Sequence, residues 1–168
     1  TCSGGEASRA IDGNTDPSWW NGSVTMTCAD STAWRMVDLG AGKQHTITSV
    51  SVYNRWQRSL NTKKKLLNTN VEILDDGSNV VASRKIGRVV EEVYTFNFGG
   101  VKGRYVRVQK TSSGELNIAE VEVMGSSSRP GVQPTPHPTS MTNPTSPPTP
   151  LPTPQPTFPM TAKPTEPP

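Results

Sequence analysis

The chain has 168 residues, with 17 Lys and Arg against 14 Asp and Glu for a net charge of +3, and 32% of it is hydrophobic. So small a basic excess, with Lys63-Lys64-Lys65 as its only run, offers no clustered face for nucleic acid and leaves weak attraction to acidic glycans or anionic lipid headgroups as its limit. No apolar stretch is long enough to span a bilayer. A start at Thr1-Cys2 in place of Met, without a leader, reads as an excised or processed piece of a larger protein.

Residues 9–23 set Asp12, Asn14, Asp16 and Ser23 among Gly13, Pro17 and Gly22. Asx, Gly and Pro make turns for local backbone reasons. The same side chains are hard oxygen donors, and a calcium ion needs roughly six to eight oxygens at about 2.3–2.6 Å, main-chain carbonyls among them. Both readings stand at this point. Trp19-Trp20 are expected as core plugs under the loop. Asn21-Gly22-Ser23 is formally an N-glycosylation sequon, where a glycan would crowd the loop and so should be poorly occupied. Cys2 and Cys28 are the only cysteines, and an even count in an extracellular-looking domain suggests one bridge. The alternatives are that both are free or that one pairs with an upstream segment.

Trp34, Met36 and either Val37 or Leu39 suit a partly buried strand over 33–39, ended by Gly40-Ala41-Gly42. Residues 47–53 form a second strand that feeds Asn54-Arg55 onto a rim. His45, at its entrance, reads as a surface histidine. Residues 57–70 are polar and basic, a loop by composition, with Leu66-Leu67 as an apolar tip. Short strands follow at 71–74, 80–86, 93–98, 104–109 and 118–124, with turns at 75–78 and Gly99-Gly100. Regular short strands with alternating polarity predict an all-β, antiparallel β-sandwich or barrel, and 1–125 form one domain.

No nucleophile elbow or paired-carboxylate pattern is present, so the reading is not that of an enzyme. Trp56 beside Arg55 is the more suggestive aromatic, because a sugar's apolar face stacks on an indole while its hydroxyls take donors from a guanidinium. Simple packing of Trp56 is the other reading. Past Gly125 the composition shifts to Pro alternating with Thr and Ser. Residues 126–168 therefore read as an extended polyproline II spacer, with the composition of an O-glycosylated stalk or of an unmodified disordered linker.

In series, Ala10-Ile11-Asp12-Gly13-Asn14, Gly22-Ser23, Trp34-Arg35-Met36-Val37-Asp38-Leu39, Val50-Ser51-Val52-Tyr53-Asn54-Arg55 and Glu120-Val121-Glu122-Val123-Met124-Gly125 resemble the F-type lectin (fucolectin) pattern. That family is a branch of the discoidin and coagulation-factor type C superfamily, and the resemblance covers roughly residues 5–125. It implies a discoidin-like jelly roll and a structural Ca2+ held by the carbonyls of Arg9 and Ala119 and the side chains of Asp12, Asn14, Ser23 and Glu120. The family's own bridge positions are Val24 and Ala119 here, both without cysteine.

The resemblance also implies a fucose site. Its His position falls on Met26, its first Arg on Arg55, its Asp on Gln57, and its second basic residue on Lys65 across a three-residue insertion; its pair of adjacent cysteines is absent. The resulting expectation is a secreted or cell-surface, calcium-stabilised, non-catalytic carbohydrate-binding module, with its rim at Arg55, Trp56, Gln57 and Lys65. Its partners would be glycans, fucosylated ones included. One rival is a structural or adhesive module of an extracellular assembly, binding other proteins. A second is a peripheral membrane module using Leu66-Leu67.

Overall fold

β-branched residues with period-two polarity dominate 44–128, and in the computed structural model, which describes residues 2–41, 44–128 and 163–164, they build two antiparallel sheets. The strands are β1 (Thr25–Met26), β2 (Trp34–Asp38), β3 (Gln44–Asn54), β4 (Thr69–Leu74), β5 (Val80–Ile86), β6 (Val93–Gly103), β7 (Tyr105–Lys110), β8 (Asn117–Ser128) and β9 (Lys163–Pro164). One sheet runs β1-β8-β3-β6 and the other β5-β4-β7-β2-β9. The expected β-sandwich is thus the observed architecture. Of the segment read as a stalk, 126–128 extend β8 and 163–164 pair outside β2; the rest lies outside the described residues.

Alternation decides which face is inside. In β7 Val106 and Val108 point to the core, and Val71 and Ile73 of β4 meet them. Ile47, Val50 and Val52 of β3 and Ile118 and Val121 of β8 close the core from the other sheet. Each fully enclosed Val or Ile contributes roughly 1.5–3 kcal/mol over an exposed one. Strict alternation along β3 would put Ile47 on the same face as Ser49 and Ser51. A register shift between Ile47 and Ser49, against both neighbouring strands, turns Val50 and Val52 inward instead.

Several sequence expectations are corrected. Gly99-Gly100 is no turn: both residues have positive φ (66° and 89°) inside one continuous β6, where they form the bulge opposite that shift in β3. Residues 57–70 are not plain loop, since a one-turn helix α1 (Leu60–Lys63) and a 3-10 turn (Lys64–Leu66) cross them. Leu66 is fully buried and Leu67 packs on the core, so the expected Leu66-Leu67 apolar tip is not there. In β2 it is Arg35 and Val37 that are buried, while Trp34 and Met36 are half-buried. Arg35 tolerates the interior because its Nε donates to Thr25 Oγ1 (3.2 Å) and its Nη2 to the Met26 carbonyl (3.2 Å). His45 is buried too, at 2% exposure. Cys2 and Cys28 form the expected disulfide. Among the described residues no helix is long and apolar enough to cross a membrane.

Candidate functional site: an Asx loop and the rim beside it

The loop over 12–18 is a series of Asx turns. Asn14 N–H donates to Asp12 Oδ1 (2.9 Å), Asp16 N–H to Asn14 Oδ1 (3.1 Å) and Ser18 N–H to Asp16 Oδ1 (2.8 Å). Asn21 Nδ2 donates to the other oxygen of Asp16 (2.7 Å), and these bonds hold the Asp16 carboxyl below its usual range. Ser23, fully buried, donates its hydroxyl to the carbonyls of Asp16 and Ser18, tying the returning arm to the loop. Gly22 ends the 3-10 turn Trp19–Asn21 in the left-handed region at φ 74°.

Glu120 of β8 reaches this loop from the sheet. The N–H of Gly13 donates to its Oε2 at 3.0 Å, across 107 residues, and Val121 N–H donates to its Oε1 (3.2 Å). The residue is 3% exposed, and burial, aided by Asp12 and Glu122, pushes its carboxyl up to about 7 against the pull of the two amides. A buried carboxylate with no cationic side chain bonded to it among the described residues, beside a second carboxylate and several neutral oxygens, is a donor set that suits a hard cation. Of the residues expected to hold calcium, the structure joins Asp12, Asn14 and Glu120 through the 12–14 backbone. Ser23 bonds to the loop's other arm, Arg9 lies within the 3-10 turn Ala7–Ala10, and Ala119 is enclosed in β8. Among the described residues no three His, Cys, Asp or Glu gather, so a cation here would depend on amide, hydroxyl and carbonyl oxygens as well as on Asp12 and Glu120.

The rim lies where β3 ends. Asn54 is buried there and donates through Nδ2 to the carbonyls of Lys63 (2.9 Å) and Glu91 (3.0 Å), which fixes α1 against the strand end. Arg55 donates twice to Gln57 Oε1, from Nη2 at 2.7 Å and Nε at 3.0 Å, and from Nη1 to Asn117 Oδ1 at 3.3 Å. Burial lowers its pKa, with Glu115 opposing; a guanidinium nonetheless keeps its charge. Gln57 Nε2 and Asn117 Nδ2 are enclosed donors with no hydrogen-bond partner among the described residues. Asn117 pairs with Met26 across β8 and β1, which places Met26 beside the same cluster. Lys65 joins through Glu115 at 3.1 Å.

Loop and rim are linked directly. Trp56 N–H donates to the Pro17 carbonyl (3.0 Å), and the Arg55 guanidinium lies 4.9 Å from the centre of the Trp19 ring. The tryptophans are therefore not core plugs: Trp19 backs the rim and Trp20 stands 85% exposed. Trp56 is half-buried, with the Lys63 ammonium 3.8 Å above its ring.

The profile of the NedA-like, galactose-binding domain family matches residues 9–108. Fucolectin from Anguilla anguilla is 34% identical over 124 residues, which span 70% of this chain and 75% of that protein. This chain belongs to that family, in its F-type lectin (fucolectin) branch. Among solved F-type relatives, the lectin domain of lectinolysin, complexed with Lewis B antigen, has a TM-score of 0.69 at 34% identity, over 75% of this chain and 88% of that one. A fucose-binding module of Streptococcus pneumoniae follows at 0.66 and 35%, over 73% and 84%. Within the F-type lectin frame, sequence reasoning missed Asn117, Glu115, Trp19 and Lys63. Asn117 opens β8 and Glu115 lies two residues before it, and the β1–β8 register, the Arg55 hydrogen bond and the Lys65 ion pair bring them to the rim.

Proposed function

We propose that this F-type lectin domain is a secreted, non-catalytic carbohydrate-binding module whose rim at Arg55 takes a sugar and whose Asx loop holds a structural calcium ion. One observation carries the sugar reading. Arg55, a half-buried guanidinium where β3 ends, is held by two neutral amide oxygens, Gln57 Oε1 and Asn117 Oδ1, and by no carboxylate among the described residues, which leaves its charge for a ligand's hydroxyls. Hydrogen bonds made by a charged group are worth about 1.5–3 kcal/mol each, and sugar hydroxyls are acceptors of the right kind. Its relatives, a fucose-binding module and a lectin domain complexed with Lewis B, support a fucosylated glycan as ligand. Gln57 and Met26, where the family pattern has Asp and His, alter the fine specificity: with Gln57 neutral, Arg55 is left with Glu115 as its opposing charge, and Glu115 is shared with Lys65.

The side chains of Asp12, Asn14, Ser23 and Glu120 and the carbonyls of Arg9 and Ala119 would hold the calcium. The ion would supply no chemistry beyond a tie between the loop and β8, which would help to fix Trp19 and Pro17 under the rim. Residues 126–168 would act as a spacer. The test is a glycan array probed with the whole chain in calcium and again in chelator. Binding to fucosylated glycans in calcium, lost in chelator, is expected; a folded chain with no hits in calcium sinks the reading.

A further inference from the structure

Beside the rim lies a cleft of about 620 Å3, walled by Trp20 and Trp56 and edged by Arg58, Lys63, Ser18 and Ser59. Its size falls in the roughly 300–1,000 Å3 of small-molecule sites. Single exposed apolar residues need no explanation, but Trp20 is not on a loose loop. Its 3-10 turn is clamped by Asn21 to Asp16, by Ser23 to Ser18, and by Gly22 N–H to the Trp19 carbonyl (3.1 Å). The Pro17–Trp56 bond fastens that turn to the opposite wall. A large indole thus stands 85% exposed on a fixed support, facing a second tryptophan.

The two walls differ in use. Lys63 lies 3.8 Å over the Trp56 ring, held there by the Asn54 bond to its carbonyl, so Trp56 is the covered wall and Trp20 the open stacking face. The cations have no acid to answer them. Arg58 is exposed, and neither it nor Lys63 makes an ion pair among the described residues, while no carboxylate lines the cleft. A fitting occupant therefore offers an apolar ring face to Trp20 and an anionic group to Arg58 and Lys63. Gln57 lines this cleft and also takes the Arg55 hydrogen bonds, which makes cleft and rim continuous.

We propose that the cleft is a second subsite for an acidic sugar unit, bearing a carboxylate or a sulfate ester, that neighbours the unit held at Arg55. This rests on reading the rim as a sugar site, and it shifts the stacking role from Trp56 to Trp20.

The test uses the full chain and follows the tryptophan indole N–H signals by NMR during titration with N-acetylneuraminic acid, methyl galactoside 3-sulfate, methyl galactoside, L-fucose and sodium sulfate. Both acidic sugars should move the Trp20 signal. Neutral galactoside and free sulfate should do so at least about tenfold more weakly. Trp20→Ala should weaken the acidic sugars by about tenfold or more, as an aromatic anchor does, and Arg58→Gln by about threefold to fivefold, as an exposed charge pair does. Neither side chain supports the core, so both variants should fold. Arg55→Ala separates the two readings: it should abolish the response to L-fucose and leave the Trp20 response to acidic sugars. A still Trp20 signal with acidic sugars while L-fucose binds overturns the subsite alone. So does an equal response to free sulfate, which would mark an adventitious ion only. A Trp20 response to acidic sugars with no L-fucose binding at Arg55 overturns the rim reading instead.

Discussion

Glu120 carries an electrostatic penalty that a change of pH should expose. Its carboxyl is raised from 4.5 to about 7, mainly by burial, with Asp12 and Glu122 adding to the rise. Between those values the folded protein holds a proton that the unfolded chain has released. Stability from this group is therefore full below about 4.5 and is lost as pH rises through 7. The interval corresponds to about 3 kcal/mol, on the order of 10 °C in melting temperature for a domain of this size. Asp38, which Arg104 depresses below the ordinary carboxylate value, gains and loses its contribution on the acid side of that window. Urea melts followed by tryptophan fluorescence at pH 5 and pH 8 in chelator should show the drop. Calcium should remove most of it at pH 8, because the ion neutralises the buried charge. Glu120→Gln should flatten the pH response and abolish the calcium effect together. If that variant keeps the wild-type slope, the reasoning is wrong.

Three further outcomes can be checked by the same melts. A Cβ at Gly125 would lie 2.2 Å from the Thr46 carbonyl oxygen, so Gly125→Ala should push β3 from β8 and cost about 2–4 kcal/mol; a loss under about 0.5 would contradict the packing. Arg104→Ala removes a bidentate pair to Asp38 (2.9 Å each) and a longer contact to Asp76 (3.4 Å), and the unfolding midpoint should fall with it. Its loss should also blunt the acid destabilisation that Asp38 brings as pH falls below about 3.8. Reducing the Cys2–Cys28 bridge should lower stability by about 2–4 kcal/mol and loosen the segment before the loop; an unchanged midpoint would show that the bridge constrains nothing.

The strands at 71–74 and 80–86 were legible because period-two polarity and a clear Asp-Asp-Gly-Ser turn frame them. The β3 bulge was not, since nothing local says that Val50 must face the same way as Ile47. Gly99-Gly100 carries the same signal whether it reverses a chain or bulges within one. Buried Arg35 and Lys110 escape a local reading for another reason: Lys110 Nζ, for instance, donates to the Lys65 and Leu67 carbonyls (3.1 and 2.6 Å), partners more than forty residues away. The Asx loop announced itself through residue type, and in it turn and ligand readings coexist, because each carboxyl or amide oxygen retains a further lone pair. At the rim, Arg55 and Gln57 were placed by the resemblance to the F-type lectin pattern. Asn117 was hidden by a sequence separation of 62, and the exposure of Trp20 by the usual association of tryptophan with cores.

The most direct test of the central claim is the affinity of the chain for an L-fucose-terminated glycan in calcium, measured by titration calorimetry for wild type and Arg55→Ala, with folding of the variant checked by its melt. Loss of a charged donor with its paired amides should weaken binding by about tenfold to a hundredfold. A folded Arg55→Ala protein that binds as wild type does would contradict the assignment of the rim as the sugar site.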